Sequence, residues 1–404
     1  MRFIQEFRIP EIIFGRGSIE QVGYCAQRVG AEKVFLVTDP GILKAGWIEA
    51  ALPFLKREGI HFEIWQELTE NPKDFEVEQA TRAYLDSQCD AIVAIGGGSP
   101  IDVAKAVAVM ATHPGTIHDY EGVDKITNPL PPMIMVPSTA GSGADITQFA
   151  VIVDSQRSVK MTIVSKSLVP DISITDPLIL TTKDPQLTAN TGMDVLAHAI
   201  EAYVSLAANF LTDSYSLTAI RLISSYLGKS VSSKTNLEAK DAMAKASLLA
   251  AIAASNALIG AVHALAHQVG GRFNLPHGMA NAILLPHVME YNFPACIERL
   301  ADIGEALGQS VDGSNLRQRA KGAIEAVRTL AREVDIAENF TRAGCLYSEE
   351  AMNLLSANAA KDACLITNPR DAGIKDIREI FSRAFSRSSV KEGEVHGPQA
   401  KDNE

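Results

Sequence analysis

Along the chain the apolar positions change period once, and that change divides it. From the start to about Asp176, short apolar runs alternate with stretches of helical period. Strands that alternate with helices are the signature of an α/β domain on a largely parallel sheet. The runs predict strands from Lys33 to Thr38, His61 to Trp65, Ala91 to Ile95, Met133 to Pro137, Phe149 to Val153 and Ser158 to Ile163. Ile4 to Phe14 is expected to add edge strands, and an unpaired edge invites pairing with a second copy. After Asp176-Pro177 the β signal stops. Helical periods then run from Met193 to Ser205, Phe210 to Ser225, Asn236 to Asn256, Ala261 to Gly271, Ala280 to Glu290 and onward to about Phe385. The expected organisation is an α/β domain over 1–178 and an all-helical bundle over 179–385. The polar stretch 386–404, short of apolar residues, is expected to be a disordered tail.

Three places in this pattern carry chemistry. The run Ala91 to Ile95 feeds G-G-G-S-P-I-D-V-A-K, Gly96 to Lys105, where the helix is expected to begin near Ser99. Glycines let a ligand approach the backbone, and amides at a helix start attract anions, so this reads as a pyrophosphate site. Three glycines alone also serve a tight turn. The spacing is not G-x-G-x-x-G and it follows a later strand, so the dinucleotide-binding fold is a variant of the Rossmann unit. Asp39, in V-T-D-P-G at the end of the first good strand, is placed to accept from an adenosine ribose and to repel a 2′-phosphate, which favours NAD over NADP. It also suits an ordinary D-P-G turn.

The third place lies in the helical half. Asp194 and His198 stand four apart, as do His263 and His267, so each pair shares a helix face. His277, in P-H-G, is expected beyond the end of the second helix, where the chain turns back. Four of the nine histidines fall between His263 and His287. One carboxylate with two or three imidazoles suits a divalent first-row metal. A single histidine on an apolar helix is more often a packed core residue, but two such pairs followed by P-H-G point to a metal.

D-x-x-x-H, then H-x-x-x-H and P-H-G, resembles the iron-dependent (group III) alcohol dehydrogenases, and the resemblance runs from about Phe14 to Arg370. It implies a dehydroquinate synthase-like architecture, with Asp194, His198, His263 and His277 as metal ligands and His267 as a proton relay near the substrate. It implies that Gly96, Gly97, Gly98, Ser99, Asp102 and Lys105 form the cofactor loop. V-P-S-T-A-G-S-G-A-D, Val136 to Asp145, resembles the family's P-T-T-A-G-T-G-S-E, which lies against the nicotinamide end and phosphates; Ser138, Thr139 and Ser142 offer hydroxyls, and Ser138, Ser142, Ala144 and Asp145 depart from the family's commonest letters. Asn71 and Lys160 match positions near the cofactor. Gln148, Phe149 and Cys364 match positions lining the substrate channel. Ala254 stands where the family's A-G-I-A-F-S-N-A carries phenylalanine, so a wider channel is expected.

The implied activity is NAD(H)-dependent interconversion of small primary alcohols and aldehydes with Fe2+, or Zn2+ in its place. Alternatives on the same fold are a zinc-dependent polyol dehydrogenase of glycerol type and a metal-independent reductase of maleylacetate type. A nucleotide-binding regulatory protein without turnover is the alternative from another class.

Composition narrows the partners. The chain has 404 residues, 47% of them hydrophobic, and a net charge of −11, so nucleic acid and anionic membranes are disfavoured. Arg2, Glu6 and Arg8 interrupt the first ten residues, which therefore lack a signal-peptide core, and no apolar span is long enough for a bilayer. Five scattered cysteines form neither a disulfide framework nor a C-x-x-C site. The expected setting is the cytoplasm, with reduced thiols, a small-molecule substrate and a homodimer or larger homo-oligomer.

Overall fold

The computed structural model describes residues 6–157, 159–310 and 313–385; the stretch 386–404, read above as a tail, lies outside them. Nine strands lie in the first half: β1 Glu11–Phe14, β2 Lys33–Val37, β3 His61–Trp65, β4 Ala91–Gly96, β5 Gly122–Val123, β6 Met133–Pro137, β7 Phe149–Asp154, β8 Val159–Val164 and β9 Ile172–Thr175. Helices α1 Val22–Arg28, α2 Pro40–Lys44, α3 Trp47–Arg57, α4 Asp74–Asp86 and α5 Gly98–Thr112 connect them.

Six strands form one parallel sheet in the order β1-β9-β6-β4-β2-β3. Its two faces are buried by alternate residues. Val34, Leu36, Val93, Ile95, Ile134 and Val136 pack with Val22, Ile48 and Leu55 of α1 and α3. Phe35, Val37, Ile92, Ala94, Met133 and Met135 pack with Ala80, Tyr84, Ala104 and Val107 of α4 and α5. Burial on both sides explains why these strands read as unbroken apolar runs.

Two expectations change. The strands at Phe149 and Ser158 do not join the parallel sheet: β7 and β8 form an antiparallel hairpin which, with β5, makes a separate three-stranded sheet. A two-residue period is the same in either sheet, so pattern alone cannot assign it. Ser158 itself lies outside the described residues. The short Ile172–Thr175 run escaped the sequence reading, yet as β9 it sits between β1 and β6. Of the stretch expected to add edge strands, only Glu11–Phe14 does so, as β1 at the edge of the sheet; residues 6–10 are not strand, and residues 4 and 5 lie outside the described residues.

The second half is helical: α6 Pro185–Val204, α7 Phe210–Ser232, α8 Leu237–Ala257, α9 Ala261–Phe273, α10 His277–Asn292, α11 Ile297–Ala306, α12 Leu316–Glu333, α13 Glu349–Ala359 and α14 Ile374–Phe385. Helix α6 begins eight residues before the expected Met193, because Asp184 caps it (Oδ1 accepts from Leu187 N at 2.8 Å) and Pro185 takes its first position. One large apolar cluster runs through α6 to α14. Among the described residues no single helix is long and apolar enough to cross a membrane.

Candidate metal centre and cofactor cleft

Because β2, β4 and β6 are adjacent and parallel, the segments leaving them emerge side by side, where open α/β sheets bind ligands. Asp39 follows β2, Gly96 to Gly98 follow β4, and Ser138 to Ser142 follow β6. A Cβ built on Gly96 would lie 3.4 Å from Asp39 Oδ2, one on Gly97 3.6 Å from Thr139 Cγ2, and one on Gly98 3.2 Å from Ser142 Oγ. The structure therefore brings these residues to one rim, and side chains in place of the glycines would fill it. Helix α5 starts at Gly98, one residue before the expected Ser99, and no side chain caps it. Its first amides are left for an anion. Asp39 Oδ1 caps α2, accepting from Gly41 N at 2.8 Å and Ile42 N at 3.0 Å, while Oδ2 stays on the glycine side. Ser138 Oγ is buried without a hydrogen-bond partner among the described residues.

Deeper in, burial pushes the Asp102 carboxyl up, against the pull of Lys105. Lys105 is fully buried and donates to the carbonyls of Thr147 at 2.6 Å and Phe149 at 2.9 Å. Asn71, at φ 55, precedes Pro72, whose carbonyl accepts from Val153 N at 2.7 Å; Val153 in turn pairs with Lys160. Burial lowers the Lys160 pKa while the charges of Asp102 and Asp194 raise it.

On the helical side, α6 supplies Asp194 and His198, α9 supplies His263 and His267, and His277 opens α10. Asp194 Oδ1 lies 3.8 Å from His263 Nε2 and 3.9 Å from His277 Nε2. One donor atom from each of these three residues falls within 4.8 Å of the others. Donors about 2.1 Å from a shared ion at the tetrahedral angle stand roughly 3.4 Å apart, so the set needs little contraction to fit one. His198 is outside this closest group; its ring lies 4.5 Å from that of His263, tilted by 31°. Burial lowers His198 to about 4 and takes His277 well below the usual imidazole range. Burial would raise Asp194, but the three imidazoles and the Asn281 amide bring it below its ordinary value. Neutral His198 and His277 beside an ionised Asp194 are the protonation states a cation requires.

Three partners were missed from sequence. Glu201, one turn past His198 on α6, accepts from Val262 N at 2.6 Å and pairs with His263 Nδ1 at 2.5 Å. Burial pulls His263 down, but the charge and hydrogen bond of Glu201 raise it overall. A carboxylate on Nδ1 leaves Nε2 as the nitrogen with a lone pair for a cation. Asn281, one turn past His277, places Nδ2 2.6 Å from Asp194 Oδ1, 3.1 Å from His263 Nε2 and 3.2 Å from His277 Nε2, with its own Oδ1 buried and unpartnered among the described residues. An amide crowded by three cation-seeking atoms is the expected neighbour of a metal position. Asp362 pairs with His267 Nδ1 at 3.0 Å. Helical spacing makes Glu201 and Asn281 visible in the sequence; nothing comparable marks Asp362.

The four residues matched to the substrate channel fall in two groups. Gln148 reaches α8, with Nε2 donating to Ser255 O at 2.8 Å, and Phe149 follows it at the head of β7. Neighbouring Ala254 is buried with Ala202, Ala253 and Ala257, and Tyr215 and Ile259 pack against that cluster. Cys364 stands on the His267 side; burial and the Asp362 charge keep its thiol well above the ordinary pKa.

This arrangement agrees with what the chain is similar to. A family described as "Iron-containing alcohol dehydrogenase" matches residues 10–177, and "Fe-containing alcohol dehydrogenase family, C-terminal" matches 188–385. The 1,3-propanediol dehydrogenase of Klebsiella pneumoniae is 40% identical over 383 residues, covering 94% of this chain and 98% of that one. The NAD-dependent methanol dehydrogenase of Bacillus methanolicus is 38% identical over 376 residues, covering 93% and 98%. A solved 1,3-propanediol oxidoreductase superposes with a TM-score of 0.92 at 40% identity, covering 95% of this chain and all of the other. On the match over both halves and on these relatives, the chain belongs to the iron-containing alcohol dehydrogenases and is an oxidoreductase with alcohol dehydrogenase activity.

Proposed function

We propose that the chain is an NAD(H)-dependent alcohol dehydrogenase and aldehyde reductase requiring one divalent metal, iron by preference, and acting on small primary alcohols and their aldehydes. The observation that carries this is the seat of Gly141 in the segment after β6: a Cβ built there would lie 2.8 Å from Thr191 Cβ on α6, three residues before Asp194, so the cofactor rim abuts the helix that bears the first donors. Asp194, His198, His263 and His277 would hold the ion. When bound, the metal supplies Lewis acidity toward the substrate oxygen and the nicotinamide supplies or receives hydride. The glycine loop and α5 seat the pyrophosphate, Asp39 selects the ribose, and His267 moves the proton. The substrate is a small molecule, and we place the enzyme in the cytoplasm as a homo-oligomer. A panel of aldehydes and alcohols, assayed with NADH and NAD on protein reconstituted with iron or zinc, tests the reading. Activity that survives chelation would favour a metal-independent reductase, and preference for polyols with zinc would favour the glycerol-type alternative.

Cofactor choice gives a sharper expectation. Asp39→Gly removes the carboxylate that faces the ribose, while glycine in its place at the α2 cap costs only a few tenths of a kcal/mol. Wild-type protein is expected to prefer NADH. The variant should narrow the NADH/NADPH efficiency ratio by about tenfold or more, the scale of one close like-charge repulsion. A wild type that prefers NADPH, or an unchanged ratio in the variant, would refute the role of Asp39.

For substrate size, we propose that Ala254 widens the channel toward longer or branched aldehydes. Tyr215 and Ile259 occupy part of the neighbouring space, so the gain is less than a full aromatic ring. Ala254→Phe should lower efficiency on a branched aldehyde relative to acetaldehyde by about tenfold, since a single methylene-sized misfit costs roughly 1–3 kcal/mol. A folded, metal-loaded variant with an unchanged ratio would remove Ala254 from the channel wall.

A further inference from the structure

His267 has one hydrogen-bond partner among the described residues, and that partner comes from a distant part of the chain. Asp362 lies just after α13, immediately before the short 3-10 turn Ala363–Thr367. Its two oxygens have separate duties: Oδ2 is 3.0 Å from His267 Nδ1, and Oδ1 accepts from Cys364 N at 2.9 Å, capping the turn. Both side chains are largely buried, at 17% and 15% exposure. Burial would raise the Asp362 carboxyl, but His267 and the Cys364 contacts bring it below its ordinary value. It is therefore a carboxylate at neutral pH, able only to accept.

An acceptor at Nδ1 obliges that nitrogen to carry the hydrogen, which leaves Nε2 of a neutral imidazole with a free lone pair. Nε2 of His267 has no hydrogen bond among the described residues, and its ring lies parallel to that of His277, 5.6 Å away with 11° between planes. The lone pair therefore belongs to a ring beside the metal donors.

We propose that Asp362 is the positioning residue of the proton relay, holding His267 in the Nδ1–H tautomer so that Nε2 exchanges the hydroxyl proton of the substrate. The inference rests on the alcohol dehydrogenase reading above. In oxidation the alcohol C–H electron pair leaves with hydride to the oxidised nicotinamide, the O–H bond breaks, and its proton goes to Nε2 directly or through water. The carboxylate stabilises the imidazolium that results, and the proton then passes to solvent. Reduction runs the same steps backwards and returns the proton from Nε2 to the substrate oxygen. Asp362 touches no reacting atom.

The test is a double-mutant cycle on the reconstituted holoenzyme with Asp362→Asn, His267→Ala and the double variant. In Asp362→Asn the amide oxygen stays on Cys364 N, so the NH2 group faces His267 and donates to Nδ1, moving the ring hydrogen to Nε2. We expect kcat for aldehyde reduction to fall by about 10²-fold, the low end for loss of a general acid or base, with KM and metal content near wild type. In the His267→Ala background the same substitution should cost nothing further. Nitrogen-15 NMR of histidine-labelled protein should show His267 protonated at Nδ1 in the wild type and at Nε2 in the variant. If Asp362→Asn loses its metal, Asp362→Glu carries the test: it keeps the charge and should recover at least about tenfold of the loss. Equal losses in both backgrounds, full activity of His267→Ala, or one tautomer in both proteins would each overturn the proposal. A wild type without turnover on any aldehyde or alcohol would overturn the relay together with the functional reading, whereas an active wild type with an equally active Asp362→Asn overturns the relay alone.

Discussion

Replacing His263 or His277 with alanine is expected to reduce the divalent-metal content from about one per chain to a small fraction of that and to cut aldehyde reduction by roughly 10²–10³-fold, the several kcal/mol that a Lewis acid contributes to the developing oxyanion. The donors have little freedom to compensate. Asp194, His263 and His277 come from three helices and already lie 3.8 and 3.9 Å apart about Asp194 Oδ1, so the loss of either ring leaves a gap on a helix of its own. The two variants should differ in stability. His263 carries Glu201 on its Nδ1, and without the ring that buried carboxylate keeps only Val262 N. His277→Ala strands no such charge. His263→Ala should therefore unfold at lower denaturant, by about 1–3 kcal/mol relative to His277→Ala, the cost of an unmet buried hydrogen bond. Elemental analysis and urea melts read both effects. Wild-type metal content in either variant would end the assignment, and equal stabilities would show that Glu201 is satisfied in another way.

Which parts of this site could be read from sequence follows from how locally each is encoded. Asp194 with His198 and His263 with His267 need only the helical repeat to share a face, and Gly96 to Gly98 need only a strand before and a helix after. The β2, β4 and β6 runs are apolar on both faces from Val34, Ala91 and Met133 onward because both sheet faces are covered, so they were legible without knowing their order. The β9 strand was not, since Ile172–Thr175 is four residues long between Asp171 and Asp176-Pro177 and resembles a loop. Glu201 and Asn281 stood at helical spacing from candidate donors, but their work depends on α6, α9 and α10 meeting, which is a tertiary fact. Asp362 is 95 residues from His267; no local rule links them. Ala254 shows the opposite limit: the resemblance marks it as a missing phenylalanine, but only the fold shows that Tyr215 and Ile259 pack against the cluster it belongs to.

The glycine of P-H-G should be as sensitive as the histidine before it. Gly278 sits in the first turn of α10, and a Cβ built there would lie 2.1 Å from Asn190 O, 2.7 Å from Asn190 C and 3.3 Å from Asp194 Cβ, all on α6. The first obstacle is backbone, so no rotamer change relieves it: α10 must move away from α6. That movement takes His277 and Asn281 with it, opening the 3.9 Å separation of His277 Nε2 from Asp194 and the 2.6 Å hydrogen bond from Asn281 Nδ2. Overpacking of a close-packed interior costs roughly 1–3 kcal/mol, and a backbone clash belongs at the upper end. Gly278→Ala should accordingly lose about 3 kcal/mol of stability and at least about tenfold in metal affinity, as losses of supporting contacts around a metal do. Gly271→Ala, near the end of α9, is the control. Nothing lies within 4 Å of its Cβ position, so it should be neutral or stabilising by up to about 1 kcal/mol, the helix preference of alanine over glycine. Metal titration and thermal melts of the two variants separate a general response to a lost glycine from closure of the α6–α10 contact. Wild-type affinity and melting in Gly278→Ala would show that the helices have room to spare and that P-H-G has some other reason.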